Sequence, residues 1–311
     1  MKAILFRRVV QACLVALVVG GLTFILTHAL PGNMAFRIAA MRYGYDMVDA
    51  NAAEAVRQEL GLDRSLIIAF LDWLWDLIRL DLGQSMVTGI PVLKEVLHEA
   101  GHTASLAVGA VLVSLVIGPP LGLLAGRRPG GWVDRISLLL ATVLRTLPQF
   151  AIGLVLIVLL SVELGLFPAA GHGTLGHWVL PTLTLGLGLA AVSSRIARNA
   201  ARDVARSPFF AFARVKGLSE REVWRLHGLR NAAVPVVTHL GIQMIYLIEG
   251  VIITETLFAW PGIGHAMVHA IVARDVPMIQ GTALCLGLLF VLLNMAVDLA
   301  CLTLDPRRRQ A

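Results

Sequence analysis

Six apolar runs set the frame for this chain, at about Val9 to Leu30, Ala104 to Ala125, Ile136 to Leu160, Leu180 to Ile196, Val236 to Leu257 and Ile279 to Leu302. In lipid, every backbone N–H and C=O must find its partner within the protein, so a crossing segment is a helix or a strand of a closed barrel. Barrel strands need only about 9–11 residues, whereas a crossing helix needs about 20. The chain is therefore expected to be an all-α polytopic membrane protein with six transmembrane helices. Composition agrees. The 311 residues are 57% hydrophobic and only 15% charged, with a mean hydropathy of +0.78, whereas soluble domains run to about a quarter charged. The net charge of +6 fits cationic loops held on one membrane face and implies no nucleic-acid partner.

Orientation follows from the basic residues. The first run comes after Lys2, Arg7 and Arg8. It exceeds the roughly 7–15-residue core of a signal peptide, and no convincing small-x-small cleavage site follows. Residues 1–32 are read as a first transmembrane helix with a cytoplasmic N-terminus, and residues 33–101 as an external insertion. Within that insertion DMVDANAAEAVRQELGLD reads as a soluble helix stopped at Gly61. The stretch Ser65 to Leu80 is ambiguous, because its apolar part is short and holds Asp72, Asp76 and Arg79. Trp73 and Trp75 suit a helix lying at the membrane interface. Charge decides the matter. Six spans place 19 of the 26 Lys and Arg on the cytoplasmic side, as the positive-inside rule requires, and a seventh span would reverse this. Residues 102–311 then form a core of five helices with a cytoplasmic C-terminus. Pro119-Pro120 and Pro148 mark kinks, from packing geometry or beside a pathway. Gly186, Gly188, Ala190 and Ala191 point to close helix–helix approach. Arg195, Arg198, Arg202 and Arg206 share one helix face, a stripe suited to anionic headgroups of membrane lipid or to an acidic partner. Cys13, Cys285 and Cys301 lie in apolar runs without ligand spacing, so neither a disulfide framework nor a metal cluster is expected.

The longest interruption between apolar runs in the second half is the basic stretch Ser207 to His239. Ser207-Pro208 has the form of a helix start, with an N-cap oxygen followed by a proline. Gly217 sits where a helix ends, because glycine takes a left-handed conformation at little cost. Ser219 and Glu222 have capping-box spacing, so a second short helix begins at once. Phe209, Phe212 and Ala213 are expected to form an apolar face, and Arg221 and Arg225 a charged one. A capped, basic helix–turn–helix of this kind is a docking handle for a soluble partner.

No G-x-x-x-x-G-K-[ST] loop or Ser/His/Asp set is present, so neither nucleotide binding nor catalysis is expected in this polypeptide. FARVKGLSEREVWRLHGLRNAAVPVVT does resemble something familiar: the cytoplasmic loop of the membrane-spanning permeases of bacterial ABC importers, in the dipeptide/oligopeptide/nickel family. That family's EAA-type loop ends in a glycine, here Gly217, followed by H-x-L-R-N-A-x-x-P, here His227, Leu229, Arg230, Asn231, Ala232 and Pro235. ELGLDRS (from Glu59), LDLGQS (from Leu80), GLFPAAGHG (from Gly165), ETLFAWPGIG (from Glu255), ARDVPMIQG (from Ala273), LLNMAVDL and LDPRRR extend the resemblance over essentially the whole chain. The EAA triplet is the departure: Ala211, Phe212 and Ala213 occupy it without the glutamate.

The resemblance implies a multi-pass subunit of the bacterial inner membrane. It would pair with a second permease, sit on two cytoplasmic ATPase subunits and receive cargo from an extracytoplasmic solute-binding protein. ATP and Mg would be held on those partners, with no cofactor in this chain. The coupling loop would span residues 197–235. Ala211, Ala213, Gly217, Ser219, Glu222, His227, Arg230, Asn231 and Pro235 would carry the ATPase movement into the helix bundle.

Inside the spans, Glu249 is a pathway candidate, since a carboxylate at bilayer depth is costly unless it meets water or a partner; a protonated interhelical hydrogen bond is the alternative. Glu255 is a further pathway candidate, expected near the outer interface. Asn294 and Asp298 share a face of the last run, as pathway groups or as glue between helices. The i, i+4 pairs His98/His102 and His265/His269 have the spacing of two metal ligands, or are scattered interfacial histidines. The cargo classes are peptides or similar small solutes, and then nickel or a metal chelate. A proton-coupled secondary transporter would need a relay of membrane carboxylates, for which Glu249 with Asp298 is thin, and an intramembrane enzyme lacks paired catalytic residues.

Overall fold

The computed structural model describes residues 2–29, 32–44, 46, 48–61 and 65–304. The LDPRRR tail beyond Leu304 and the side chain of Asp298 lie outside the described residues. Among the described residues the architecture is helical, with a single isolated bridge between Gln84 and Pro91 and no named strand. Helices long and apolar enough to cross a membrane lie within α1 (Lys2–Ala29), α5 (Val92–Arg127), α8 (Leu175–Ala205) and α13 (Val276–Leu304).

Two bent pairs raise the count of candidate crossings among the described residues from four to as many as six. In the first, α6 (Trp132–Thr146) meets α7 (Gln149–Leu156, prolonged by the π-helix Ile157–Glu163) at 109°. The cause is local: the ring of Pro148 drives Leu147 out of the helical region, to φ −77 and ψ 133. α5, by contrast, runs through Pro119-Pro120 as one 36-residue helix, so of the two expected kinks the helix break falls at Pro148. The second pair joins Glu220–Met244 to Tyr246–Leu257 at 53°. It comprises α10 (Glu220–Val223), the π-helix Trp224–Gly228 and α11 (Leu229–Leu257), with α9 (Pro208–Val215) just before it.

The chain divides into two compact units. The first comprises Met1–Thr103 and Pro261–Val291. In it α2 (Met34–Tyr43) and α3 (Ala50–Leu60) bury Ala35, Ile38, Ala39 and Val56 against one another. α3 stops as expected at Gly61, which is left-handed at φ 57. α2, which the polar composition concealed, starts on Asn33, whose side-chain oxygen accepts from the Phe36 N–H. The ambiguous stretch forms α4 (Leu66–Ile78), whose 13 residues rise only about 20 Å against a hydrocarbon layer of about 30 Å. α4 lies on α1, with Phe70 5.3 Å and Trp73 6.2 Å from Phe24 between ring centroids. A Cβ on Gly20 would fall 2.5 Å from Trp73. α12 (Ile263–Ala273) packs Ala270 with Val92, Val96, Met278 and Ile279.

The second unit comprises Ala104–Trp260 and Leu292–Ala311. Its spine is the contact of α5 with α8, made through glycines. A Cβ on Gly118, Gly122 or Gly126 would fall 2.0 Å from Ser193 Oγ, 2.1 Å from the Ser194 carbonyl or 2.5 Å from the Arg198 carbonyl. On the facing helix Gly186 meets Val113 in the same way, at 2.5 Å, which is the close approach read from the small residues. The 31 residues of α8 rise about 46 Å, more than a hydrocarbon layer requires, so one end reaches beyond it.

Candidate functional site

The end of α8 carries the basic helix–turn–helix. Ala200, Ala201 and Val204 of α8 form a small core with Phe210 and Ala213 of α9, with Val223 and Trp224, and with Ala232 of α11. Phe210 and Trp224 pack edge-to-face at 5.2 Å, and the Arg127 guanidinium lies over the Trp224 ring at 4.9 Å. Aromatic and cation–π contacts of this kind add about 0.5–1.5 kcal/mol each beyond burial. The turn is therefore held to α5 and α8 as one body.

Local chemistry explains the turn. Pro208 opens α9 at the first helical position, but Ser207 does not cap it. Its Oγ donates 2.5 Å back to the Val204 carbonyl instead, satisfying an orphan acceptor at the end of α8 rather than a donor of α9. Gly217 has φ +86 with nothing within 4 Å of a would-be Cβ, so backbone conformation alone selects glycine there. The capping box is complete: Ser219 Oγ accepts from Glu222 N–H at 3.4 Å, and the Glu222 carboxylate accepts from Ser219 N–H at 2.8 Å. The expected second short helix is corrected, because α10 passes through the π-turn directly into α11, and Pro235 sits inside that helix. Gly228 is required in the π-turn, since a Cβ would lie 2.4 Å from Trp224.

The expected apolar face needs one change. Phe209 and Phe212 do face outward with Val215, at 43%, 59% and 83% exposed, but Ala213 is turned into the core. Ala211, Gly217, Ser219, Glu222, His227, Arg230, Asn231 and Pro235 are all exposed, as are Arg221 and Arg225. Asn231 Nδ2 ties back to the His227 carbonyl at 2.7 Å. The arginine stripe is also corrected: Arg198 is turned inward onto Asp134 of α6, with Nε to Oδ1 at 2.9 Å and Nη2 to Oδ2 at 2.7 Å. A neutral partner would have left that buried carboxylate stranded.

The second unit also carries a half-open cavity of about 380 Å³ at the Pro148 break. Arg145, Gln149, His239, Gln243, Tyr246 and Glu249 give it its polar lining. Gln149 Nε2 donates to the Thr184 carbonyl at 2.9 Å, and Gln243 Nε2 to the Leu189 carbonyl at 3.0 Å. Glu249 is thus a cavity residue. Glu255 is fully buried in the same unit, and its carbonyl accepts from the Trp260 N–H at 2.8 Å. Neither Glu255 nor the half-buried Asn294 lines the cavity.

Comparison with known proteins places this geometry. Residues 118–310 match the family described as "Binding-protein-dependent transport system inner membrane component", and residues 1–107 match its N-terminal companion. The "Glutathione transport system permease protein GsiC" of Pectobacterium atrosepticum is 40% identical over 293 residues, 94% of each chain. Its namesake from Escherichia coli K12 is 38% identical over 292 residues, again 94% of each. The chain belongs to the dipeptide/oligopeptide/nickel family of ABC importer permeases. It is a multi-pass membrane permease subunit. A solved structure titled "Inward facing conformations of the MetNI methionine ABC transporter" shares the fold at a TM-score of 0.53 and 20% identity, covering 68% of this chain and 97% of that one.

In this permease the motifs that carry the resemblance meet in space. Ser85 of LDLGQS donates its Oγ to the carboxylate of Asp275 of ARDVPMIQG, and Asp275 Oδ1 accepts from Met278 N–H at 3.2 Å to cap α13. The backbone of GLFPAAGHG joins that of ETLFAW through Gly171 N–H to the Phe258 carbonyl, 2.8 Å. The rings of each histidine pair do meet, edge-to-face, at 5.1 Å for His98/His102 and 4.5 Å for His265/His269. Among the described residues no group of three or more His, Cys, Asp or Glu is placed to hold a metal. Burial, and then His269, holds the His265 imidazole below its ordinary range. Sequence reasoning missed Asp134, Gln149 and Gln243, because each acquires its role from a partner at least 35 residues away.

Proposed function

We propose that this permease carries peptides or similar small solutes across the bacterial inner membrane. The observation that carries this is 40% identity, over 94% of each chain, to a permease named for glutathione, itself a peptide. The nickel or metal-chelate alternative has no comparable observation in its favour. In this reading the chain has six crossings with both termini in the cytoplasm. Residues 1–32 form the first helix, 33–101 an external insertion and 102–311 the core. The EAA-type loop 197–235 docks on one of two separate ATPase subunits that hydrolyse ATP with Mg, so this chain carries no catalysis and no cofactor. A second permease completes the path, and a solute-binding protein delivers cargo outside. Glu249 belongs to the path, and Glu255, Asn294 and Asp298 support it.

The outward Phe209, Phe212 and Val215 support docking: three large apolar side chains at the tip of a rigid turn are a surface awaiting a partner. Proteoliposomes holding the whole importer provide the test. Uptake of a labelled dipeptide is expected to require ATP on the side of the ATPases and the binding protein on the other, and to survive collapse of the proton gradient. Uptake that persists on a proton gradient without ATP overturns the reading.

A further inference from the structure

We propose that the cavity at the Pro148 break binds a peptide in transit by its two charged ends, with Glu249 receiving the ammonium group and Arg145 the carboxylate. This rests on the reading of the chain as a peptide permease and names the chemistry by which it holds its cargo. Charge is the first support. Arg145 and Glu249 line one cavity with opposite signs, yet among the described residues no ion pair or hydrogen bond engages either. The Arg145 guanidinium lies over the Tyr246 ring at 5.4 Å. That contact engages no oxygen acceptor, so the forked N–H donors of the guanidinium are available to a carboxylate.

Gln243 is the second support. It is 2% exposed, and its Nε2 donates to the Leu189 carbonyl at 3.0 Å. A carbonyl can only accept and only the NH2 end of the amide can donate, so this bond fixes which way the amide lies, and Oε1 is left buried without a partner. A buried acceptor of this kind calls for a donor, and a peptide N–H or an ammonium group supplies one. The volume of about 380 Å³ falls within the roughly 300–1,000 Å³ typical of small-molecule sites. A simple cation would satisfy Glu249 and leave Arg145 unmatched, and an anion would do the reverse. A zwitterion satisfies both.

The test uses radiolabelled alanyl-alanine, its N-acetyl derivative and its C-terminal amide, in equilibrium dialysis against the purified whole importer without its binding protein, and then in ATP-driven uptake by proteoliposomes. The wild type is expected to bind the free dipeptide and to bind each blocked form at least tenfold more weakly. Glu249→Gln should abolish the penalty for acetylation while keeping that for amidation, and Arg145→Gln should do the opposite. Each variant thus controls for the folding of the other. Equal binding of the three probes, or penalties unchanged in both variants, overturns the inference. Wild-type uptake of alanyl-alanine with no change in either variant overturns it alone. Failure of the wild type to take up either alanyl-alanine or glutathione overturns the peptide reading, and the inference with it.

Discussion

Replacing Arg198 by Met removes the guanidinium from a carboxylate that has almost no access to water. The Asp134 side chain is 7% exposed and the Arg198 side chain 16%. The pair is joined by two hydrogen bonds of 2.9 and 2.7 Å, and the remaining donor to Asp134 is the Gly130 N–H at 2.9 Å. Breaking a buried pair from one side costs about 3–5 kcal/mol, because the surviving charge stays buried. At about 1.4 kcal/mol per tenfold, the folded-to-unfolded ratio falls roughly a hundred- to several-thousandfold. Arg198→Lys keeps the charge but loses the fork, and should cost less. Replacing both partners with apolar residues of similar volume, Asp134→Leu with Arg198→Met, should return stability to within about 1–2 kcal/mol of the wild type. Reversible unfolding of the purified chain by SDS in mixed micelles measures all four. The reasoning is refuted if Arg198→Met lies within about 1 kcal/mol of the wild type, or if the double variant is no more stable than the single one.

At Gly217 any side chain must adopt φ +86, at a cost of about 1–2 kcal/mol. Gly217→Asp is expected to lose co-purification of the ATPase subunit while the permease still folds. Ser219→Ala removes one arm of the capping box and should cost about 1 kcal/mol in the same SDS titration. His265→Ala with His269→Ala should leave metal and peptide uptake unchanged. Because the folded pKa of His265 is lowered, the unfolded chain takes up the proton first. Stability is therefore expected to fall as the pH drops below about 6.5, and His265→Gln should flatten that fall in thermal unfolding measured from about pH 7.5 to about pH 5.

Much of the frame was legible because its signals are local. Apolar runs become helices for want of any other backbone partner in lipid, and Gly61, Gly217 and the Ser219/Glu222 box act within a single turn of chain. Ser207 misled because a serine hydroxyl beside a helix junction can serve either helix, and only the geometry of the α8 carbonyls decides which. Ala213 was placed on the wrong face because i, i+4 spacing gives neighbours, not the direction of the core. Asp134 sits 64 residues from Arg198, and no pattern in one sequence announces such a pairing. The turn at Pro148 was legible as a break but not as 109°.

The glycine contacts of α5 bear on how genetics of this permease should be read. At Gly118, Gly122 and Gly126 the neighbouring atoms lie where any larger residue would put its first carbon, and two of those neighbours are main-chain carbonyls that no rotamer change can move aside. A random-mutagenesis screen for lost uptake should therefore light up a stripe of positions four residues apart on α5. That stripe would look like the lining of a channel. It is a seam where two backbones touch, and substitutions there report on assembly of the helices rather than on contact with cargo.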